Sequence, residues 1–143
     1  MGSAADAVEA SLRILRHRDL SAHELRGRLL ERGFSEAACE SALETLRRTG
    51  LADDQRFARA RAAALADRRA GDALIRHRLV EAGIEADVID DALAGIEDEA
   101  SRARRIVERR GAGPRTARYL AGKGFSEDAV RGAVASEGAD ELR

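Results

Sequence analysis

The chain has 143 residues, of which 36% are charged and 3% are aromatic, and its 25 basic and 26 acidic side chains leave a formal charge of −1. A near-neutral chain lacks the excess of positive charge that strong, autonomous nucleic-acid binding requires. The single cysteine excludes an internal disulfide, and no apolar run is long enough to span a membrane. These features predict a cytoplasmic protein without a membrane partner.

One short pattern occurs three times along the chain. In each copy a leucine stands four residues before a glycine, and a large apolar residue follows that glycine directly: Leu29/Gly33/Phe34, Leu79/Gly83/Ile84 and Leu120/Gly124/Phe125. A glycine just past the last helical turn can adopt a positive φ, and the residue after it then packs back on that turn. The pattern predicts three helix ends of one kind, which is typical of a repeat protein and not of a single-site enzyme.

Aligning the three glycines predicts the rest of each unit, because apolar residues recur at matching distances on both sides of them. Each unit should hold three helices: a long one, a second that ends at the glycine, and a third after the turn. The predicted fold is all-α, with three tandem three-helix repeats at residues 6–50, 51–97 and 98–138. Residues 1–5 would be a leader or tag remnant and residues 139–143 a C-terminal tail. Such repeats should form an elongated, curved, solenoid-like molecule.

The start of the chain predicts a first helix from about Asp6 to His17 that buries Val8, Leu12 and Leu15. Ser21 and the glutamate three residues later have the spacing of a capping box, which begins the second helix.

No set of residues has the pattern of a chemical site. His17, His23 and His77 lack a spacing that suits a metal, so they are interpreted as surface residues. Cys39 takes the place of Ile89 in the aligned units, which predicts a small buried hydrophobe and not a nucleophile. The sequence therefore predicts no catalytic residue, no cofactor, no metal and no enzyme.

Positive charge is concentrated in the last third, where residues 101–143 carry ten basic and six acidic side chains. Guanidinium groups bind carboxylates and phosphates in bidentate geometry, so this segment is a candidate docking face for an acidic protein or for nucleic acid that such a protein holds. The alternative is a solvated face whose side-chain stems lie on apolar neighbours. Three of the arginines are spaced to line one helix face. The candidate partner-binding residues are Arg102, Arg105, Arg109, Arg110, Arg115 and Arg118.

Several longer motifs resemble the regulatory protein RecX family. The most specific is Gly50-Leu51-x-Asp53-Asp54-x-Arg56-Phe57-Ala58, and the others are Ser21-x-x-Glu24-Leu25 with Leu29 and Gly33, Arg69-x-Gly71-x-x-Leu74-Ile75 with Leu79 and Gly83-Ile84, and Leu120-x-x-Lys123-Gly124-Phe125. The resemblance covers the chain from Asp6 to about Glu137. It departs from the family in the last unit, where arginine and not lysine dominates the basic stretch and Lys123 precedes the Gly-Phe pair in place of arginine.

The resemblance implies a modulator of the RecA recombinase, built from three tandem three-helix repeats. Such a protein binds in the groove of the RecA filament on single-stranded DNA and limits filament growth, ATPase, strand exchange and coprotease activity. It thereby regulates homologous recombination, DNA repair and the SOS response. A monomer is expected, and weak contact with single- or double-stranded DNA is left open. The alternatives are an autonomous DNA-binding protein of helix-turn-helix type and a generic helical scaffold for protein interaction.

Overall fold

The computed structural model describes residues 2–141, and within that range every regular element is an α-helix. The all-α tandem-repeat fold is thereby confirmed. None of the described helices has the length and apolarity needed to cross a bilayer. The nine helices in this range are α1 (Ala4–His17), α2 (Ala22–Glu31), α3 (Glu36–Arg48), α4 (Asp54–Asp67), α5 (Asp72–Glu81), α6 (Ala86–Ala94), α7 (Glu99–Arg110), α8 (Pro114–Gly122) and α9 (Glu127–Glu141).

Each glycine turn ends the second helix of a unit in the same way. Gly33, Gly83 and Gly124 have φ values of 93°, 77° and 90°. After each glycine, the next backbone N–H donates to the carbonyl oxygen of the leucine that starts the pattern, at 3.2 Å in the first unit and 3.0 Å in the other two. The glycine N–H donates to the following carbonyl, which completes a Schellman motif. The turn satisfies carbonyls that a helix end would otherwise leave without partners.

Three separate apolar cores follow the chain, one in α1–α3, one in α4–α6 and one in α7–α9. Within each unit the first and third helices pack together. The surface is 8828 Å², whereas a compact monomer of this length would expose about 7,200 Å². This excess is expected of small cores arranged in a row and supports an elongated shape. The curvature stays a prediction, as do the domain limits at residues 50 and 97.

Helix α1 departs from the predicted pattern of burial. It buries Ala7, Ala10, Ser11 and Ile14, whereas Leu12 is 38% exposed. The prediction for Leu12 is wrong because it assumed that the first helices of all units are in register. The links that follow them differ, since α1 ends in an extended residue, whereas α4 ends in a turn with Arg69 at a φ of 67°. Helix α1 therefore faces the core with a different set of positions than the alignment of units predicts, and most of these carry small side chains.

The two ends of the chain also differ from the prediction. Helix α1 begins two residues early because the Ser3 side chain accepts from the Asp6 N–H, and the Asp6 carboxylate accepts from the Ser3 N–H. Gly2 lies so close to Phe34 that a Cβ there would be 2.0 Å from the ring. At the other end α9 continues to Glu141, past the predicted limit of the third repeat, and residues 142–143 lie outside the described range.

The first and second units meet where α2 begins, which we call the first junction. The Ser21 hydroxyl donates to the Ala82 carbonyl oxygen at 2.6 Å, and the Ala22 N–H donates to the Asp54 carboxylate at 2.9 Å. A Cβ added to Gly83 would stand 2.4 Å from the Cβ of His23. The start of one unit's second helix therefore lies on the glycine turn of the next unit.

The second and third units meet in the same way at the start of α5, which we call the second junction. The Gly71 N–H donates to the Lys123 carbonyl at 2.7 Å, and the Ala73 N–H donates to the Gly124 carbonyl at 3.2 Å. Glu99 takes the place of Asp54, because its carboxylate accepts from the Asp72 N–H at 2.7 Å. The glycine turn is thus both a helix end and a surface on which the preceding unit docks.

Candidate partner-binding surface

Helix α7 carries four of the six candidate arginines, and they do not all face solvent. Arg102 is 7% exposed and belongs to the buried stripe with Ala103, Ile106 and Val107. Arg105 and Arg109 are exposed. The expectation that Arg102 lies on an open face is therefore wrong. Helical spacing identified a common side of the helix, but it did not show that the second unit covers one edge of that side.

The Arg102 side chain connects the third unit to the second. Its guanidinium donates to the Ala70 carbonyl at 2.7 Å and to the Glu97 carbonyl at 2.8 Å, and it forms an ion pair with Asp72. It also lies 5.7 Å from the centre of the Phe125 ring. Burial raises the pKa of the Asp72 carboxyl, although the neighbouring guanidinium opposes the shift. Arg102 is thus a structural residue of the second junction, since each of its three guanidinium nitrogens donates to a partner inside the protein.

A cleft of about 400 Å³ lies between α4 and α7, next to the second junction. We call it the arginine cleft. Part of its lining is apolar and includes Ala63, Ala66, Ile96 and Ile106. Its charged lining consists of Arg69, Arg102, Arg105, Arg109 and Arg110 together with Asp67 and Glu97. The cleft therefore combines an apolar floor with an excess of positive charge.

The exposed arginines differ in whether another side chain of the protein already contacts them. Arg105 forms an ion pair with Glu97 beside the cleft, and its side chain is 64% exposed. The Arg110 guanidinium lies 3.8 Å from the centre of the Tyr119 ring, which holds it by a cation–π contact. Arg115 and Arg118 are exposed on α8 and do not line the cleft. The structure thus brings together Arg105, Arg109 and Arg110 and places the two α8 arginines elsewhere on the third unit.

Arg69 and the apolar floor of the cleft were not predicted as parts of a site, although Arg69 stands in one of the motifs that resemble the family. Arg69 stands at the end of α4, in the second unit, where it adopts a left-handed backbone conformation that is uncommon for a non-glycine residue. The sequence contained one indication of its role, because Arg69 precedes Gly71 by two residues and Gly71 lies at the second junction. No local pattern, however, shows that α4 and α7 face each other across a cleft.

The residues considered for chemistry lie apart from this surface. The three histidines are exposed, and among the described side chains of residues 2–138 no group of three or more histidine, cysteine or acidic residues is placed to hold a metal ion. Cys39 is fully buried, and burial raises the pKa of its thiol. A buried, protonated thiol is a poor nucleophile, so Cys39 serves as a small apolar residue of the first core.

Two family descriptions match the first two units of the chain. One is described as RecX, first three-helix domain, and covers residues 7–46, and the other as RecX, second three-helix domain, and covers residues 53–93. A curated relative, the regulatory protein RecX of Halorhodospira halophila, is 35% identical over 99% of this chain and 95% of its own length. The chain belongs to the RecX family. The regulatory protein RecX of Trichlorobacter lovleyi is 32% identical and is matched over 92% of its length, across 88% of this chain.

Solved RecX structures have the same fold. One crystal structure, of a regulatory protein RecX, superposes with a TM-score of 0.77 at 26% identity, over 90% of this chain and 71% of the other. RecX from Lactobacillus salivarius superposes with a TM-score of 0.82 at 17% identity, over 95% and 97% of the two chains. At 17% identity, the similarity to the Lactobacillus salivarius protein shows a shared fold alone. RecX membership thus rests on the sequence matches, and the helical architecture rests on both.

Proposed function

We propose that this protein regulates RecA by binding in the groove of the RecA filament on single-stranded DNA. It limits filament growth and lowers ATPase, strand-exchange and coprotease activity, and so regulates homologous recombination, DNA repair and the SOS response. It acts as a cytoplasmic monomer without catalysis of its own. The observation that carries the proposal is the match to a regulatory protein RecX over nearly the whole of both chains.

The arrangement of the molecule supports this role. Three linked units offer a long surface, and several weak contacts along a filament would combine into useful affinity. We assign one contact to the exposed arginines of the third unit, Arg105, Arg109, Arg110, Arg115 and Arg118. A nucleoprotein filament presents carboxylates and phosphates, which guanidinium groups bind well.

The decisive experiment measures ATP hydrolysis by RecA on single-stranded DNA with and without this protein. We expect the protein to lower the rate, and we expect replacement of Arg105, Arg109 and Arg115 together by alanine to weaken inhibition. The loss should grow with salt concentration, because screening removes the attraction that remains. Folding should change little, since exposed charges contribute little to stability.

A matched variant replaces three exposed arginines of the first unit, Arg16, Arg28 and Arg47, by alanine. It removes the same charge, so it should inhibit like the parent if the third unit makes the contact. Equal inhibition by both variants and the parent would remove the arginines from the proposal. A parent protein that leaves RecA hydrolysis and filament length unchanged would overturn the function itself.

The alternative of an autonomous DNA-binding protein is tested alongside. It predicts binding to naked DNA without RecA, with an affinity that falls steeply as salt rises. The near-neutral charge of the chain argues against tight binding of this kind.

A further inference from the structure

We propose that the arginine cleft binds an acidic segment of a protein partner, in which carboxylates flank one bulky apolar side chain. The apolar side chain would enter the cleft between α4 and α7, and the carboxylates would meet the arginines on its rim. The inference rests on the proposed function for the identity of the partner, and it adds the chemistry that the cleft recognises.

The floor of the cleft is apolar. Its volume of about 400 Å³ is within the range of pockets that enclose small ligands. Ala63 and Ala66 provide one wall from the second unit, and Ile96 and Ile106 provide apolar surface from the far side. A phosphate group would gain nothing from these side chains, whereas an apolar side chain would lose its contact with water there.

The rim of the cleft carries an excess of positive charge. The lining contains five arginines and two carboxylates, so it is positive overall in a chain whose total charge is −1. Arg102 is already engaged inside the protein, and Arg105 is paired with Glu97. Arg69 and Arg109 form none of the ion pairs found among the described side chains, those of residues 2–138. They are therefore the groups best placed to receive carboxylates from a partner.

The lining of the cleft favours a protein segment over single-stranded nucleic acid. Bases bind to such surfaces by stacking on exposed aromatic rings. The aromatic residue that lines the cleft is Phe125, which is 6% exposed and already lies beneath Arg102. The lining therefore suits an acidic segment with an apolar anchor better than it suits a strand of DNA.

The experiment titrates the isotopically labelled protein with a blocked synthetic peptide that has one phenylalanine between pairs of glutamates. Binding is followed through backbone amide shifts in NMR spectra. We expect saturable shifts at the cleft residues. A peptide with serine in place of phenylalanine, and one with glutamines in place of glutamates, should each bind at least about tenfold more weakly, which corresponds to the loss of one substantial contact.

Two pairs of variants locate the site. Ala63→Trp fills the cleft and should abolish binding, whereas Ala64→Trp, on an exposed neighbour outside the lining, should not. Arg109→Glu should weaken binding at least about tenfold, whereas Arg118→Glu, an equal charge change outside the cleft, should have less than about a twofold effect. Melting curves establish that each variant is folded.

Several outcomes would overturn the proposal. One is the absence of saturable shifts up to about 5 mM peptide, a concentration at which even very weak contacts are detected. Another is equal binding of the serine peptide, which would leave only an unspecific charged patch. Stronger binding of an oligothymidylate at the cleft would assign it to nucleic acid.

The same data separate this inference from the proposed function. If the protein inhibits RecA hydrolysis but the peptide does not bind, the cleft assignment alone fails. If the peptide binds as expected while RecA hydrolysis is unchanged, the regulatory function fails and the cleft assignment stands.

Discussion

The two junctions between units use one arrangement with different chemistry. At each, a residue that lies twelve positions before its own turn glycine contacts the turn of the next unit. In the first junction this residue is Ser21, whose hydroxyl reaches the Ala82 carbonyl. In the second junction it is Gly71, whose backbone N–H reaches the Lys123 carbonyl directly. A side chain therefore spans a gap at one junction that the backbone closes at the other.

The difference shows how closely the units approach each other. A Cβ added to Gly71 would lie 2.3 Å from the Gly124 carbonyl carbon, so the second junction leaves no space for any side chain. Arg102 of the third unit adds two contacts to the second junction, one with the Ala70 carbonyl and one with Asp72. The first junction contains no equivalent of Arg102 among its described hydrogen bonds and ion pairs. We expect the second and third units to form the more rigid pair, with the arginine cleft beside their junction.

The largest loss of stability is expected from Gly71→Ala, which would place a methyl group against the backbone of the next unit. The backbone cannot yield like a flexible side chain, so we expect a loss of about 3 kcal/mol of unfolding free energy or more, at the upper end for overpacking. Urea denaturation measures this loss. Small-angle scattering of the folded protein should also show a larger radius of gyration if the units separate.

A matched variant is Gly27→Ala, because a Cβ at this position in α2 meets no atom within 4 Å. This substitution should stabilise the protein by about 0.5–1 kcal/mol through helix propensity. A Gly71→Ala protein that unfolds together with the parent would contradict the close contact at the second junction.

The next largest loss of stability is expected from Arg102→Met, which keeps an unbranched apolar stem at this position and removes the charge. Asp72 and two carbonyl groups would lose their donor. We expect a loss of about 2–3 kcal/mol, below the usual range for a broken buried ion pair because Asp72 remains in contact with water. Thermal or urea unfolding measures the change.

Arg105→Met removes the same charge one helical turn away. Its ion pair with Glu97 is largely exposed, so the loss should be less than about 0.5 kcal/mol. Similar losses for the two variants would mean that Arg102 does not act as a structural part of the junction.

Much of the fold could be predicted because short sequence patterns determine where its helices end. A leucine, a glycine and an apolar residue at fixed spacing are sufficient to specify a Schellman turn, and three copies specify a repeat. Leu12 was placed wrongly because the rotation of α1 depends on the link between helices, and Arg18 and Arg69 adopt different conformations in these links. Helix spacing alone contains no information on this rotation.

The candidate surface could be predicted only in part. Composition located the positive charge in the third unit, but Arg102 and Arg109 appear alike in the sequence. Only the packing of the second unit against α7 separates a buried ion-pairing arginine from an exposed one. Arg69 was missed for the corresponding reason, because it comes to the cleft from a distant part of the chain.

Among the substitutions at the two junctions, the smallest loss of stability is expected from Ser21→Ala, which removes the hydroxyl contact of the first junction. Ser21 also caps α2 by accepting from the Glu24 N–H, and loss of the cap and of the Ala82 contact together should cost about 1–2 kcal/mol. Ser35→Ala supplies the matched control, because Ser35 caps α3 in the same way, by accepting from the Ala38 N–H, and its hydroxyl reaches no other unit. The difference between the two variants in urea unfolding, about 0.5–1 kcal/mol, is then the contribution of the contact across the junction.

Amide hydrogen exchange should show the consequence, since the first unit should open more readily than the other two once this contact is lost. Equal losses for both variants, with unchanged exchange in α1–α3, would mean that the Ser21 hydroxyl contributes nothing to the first junction and that the comparison between the junctions does not hold.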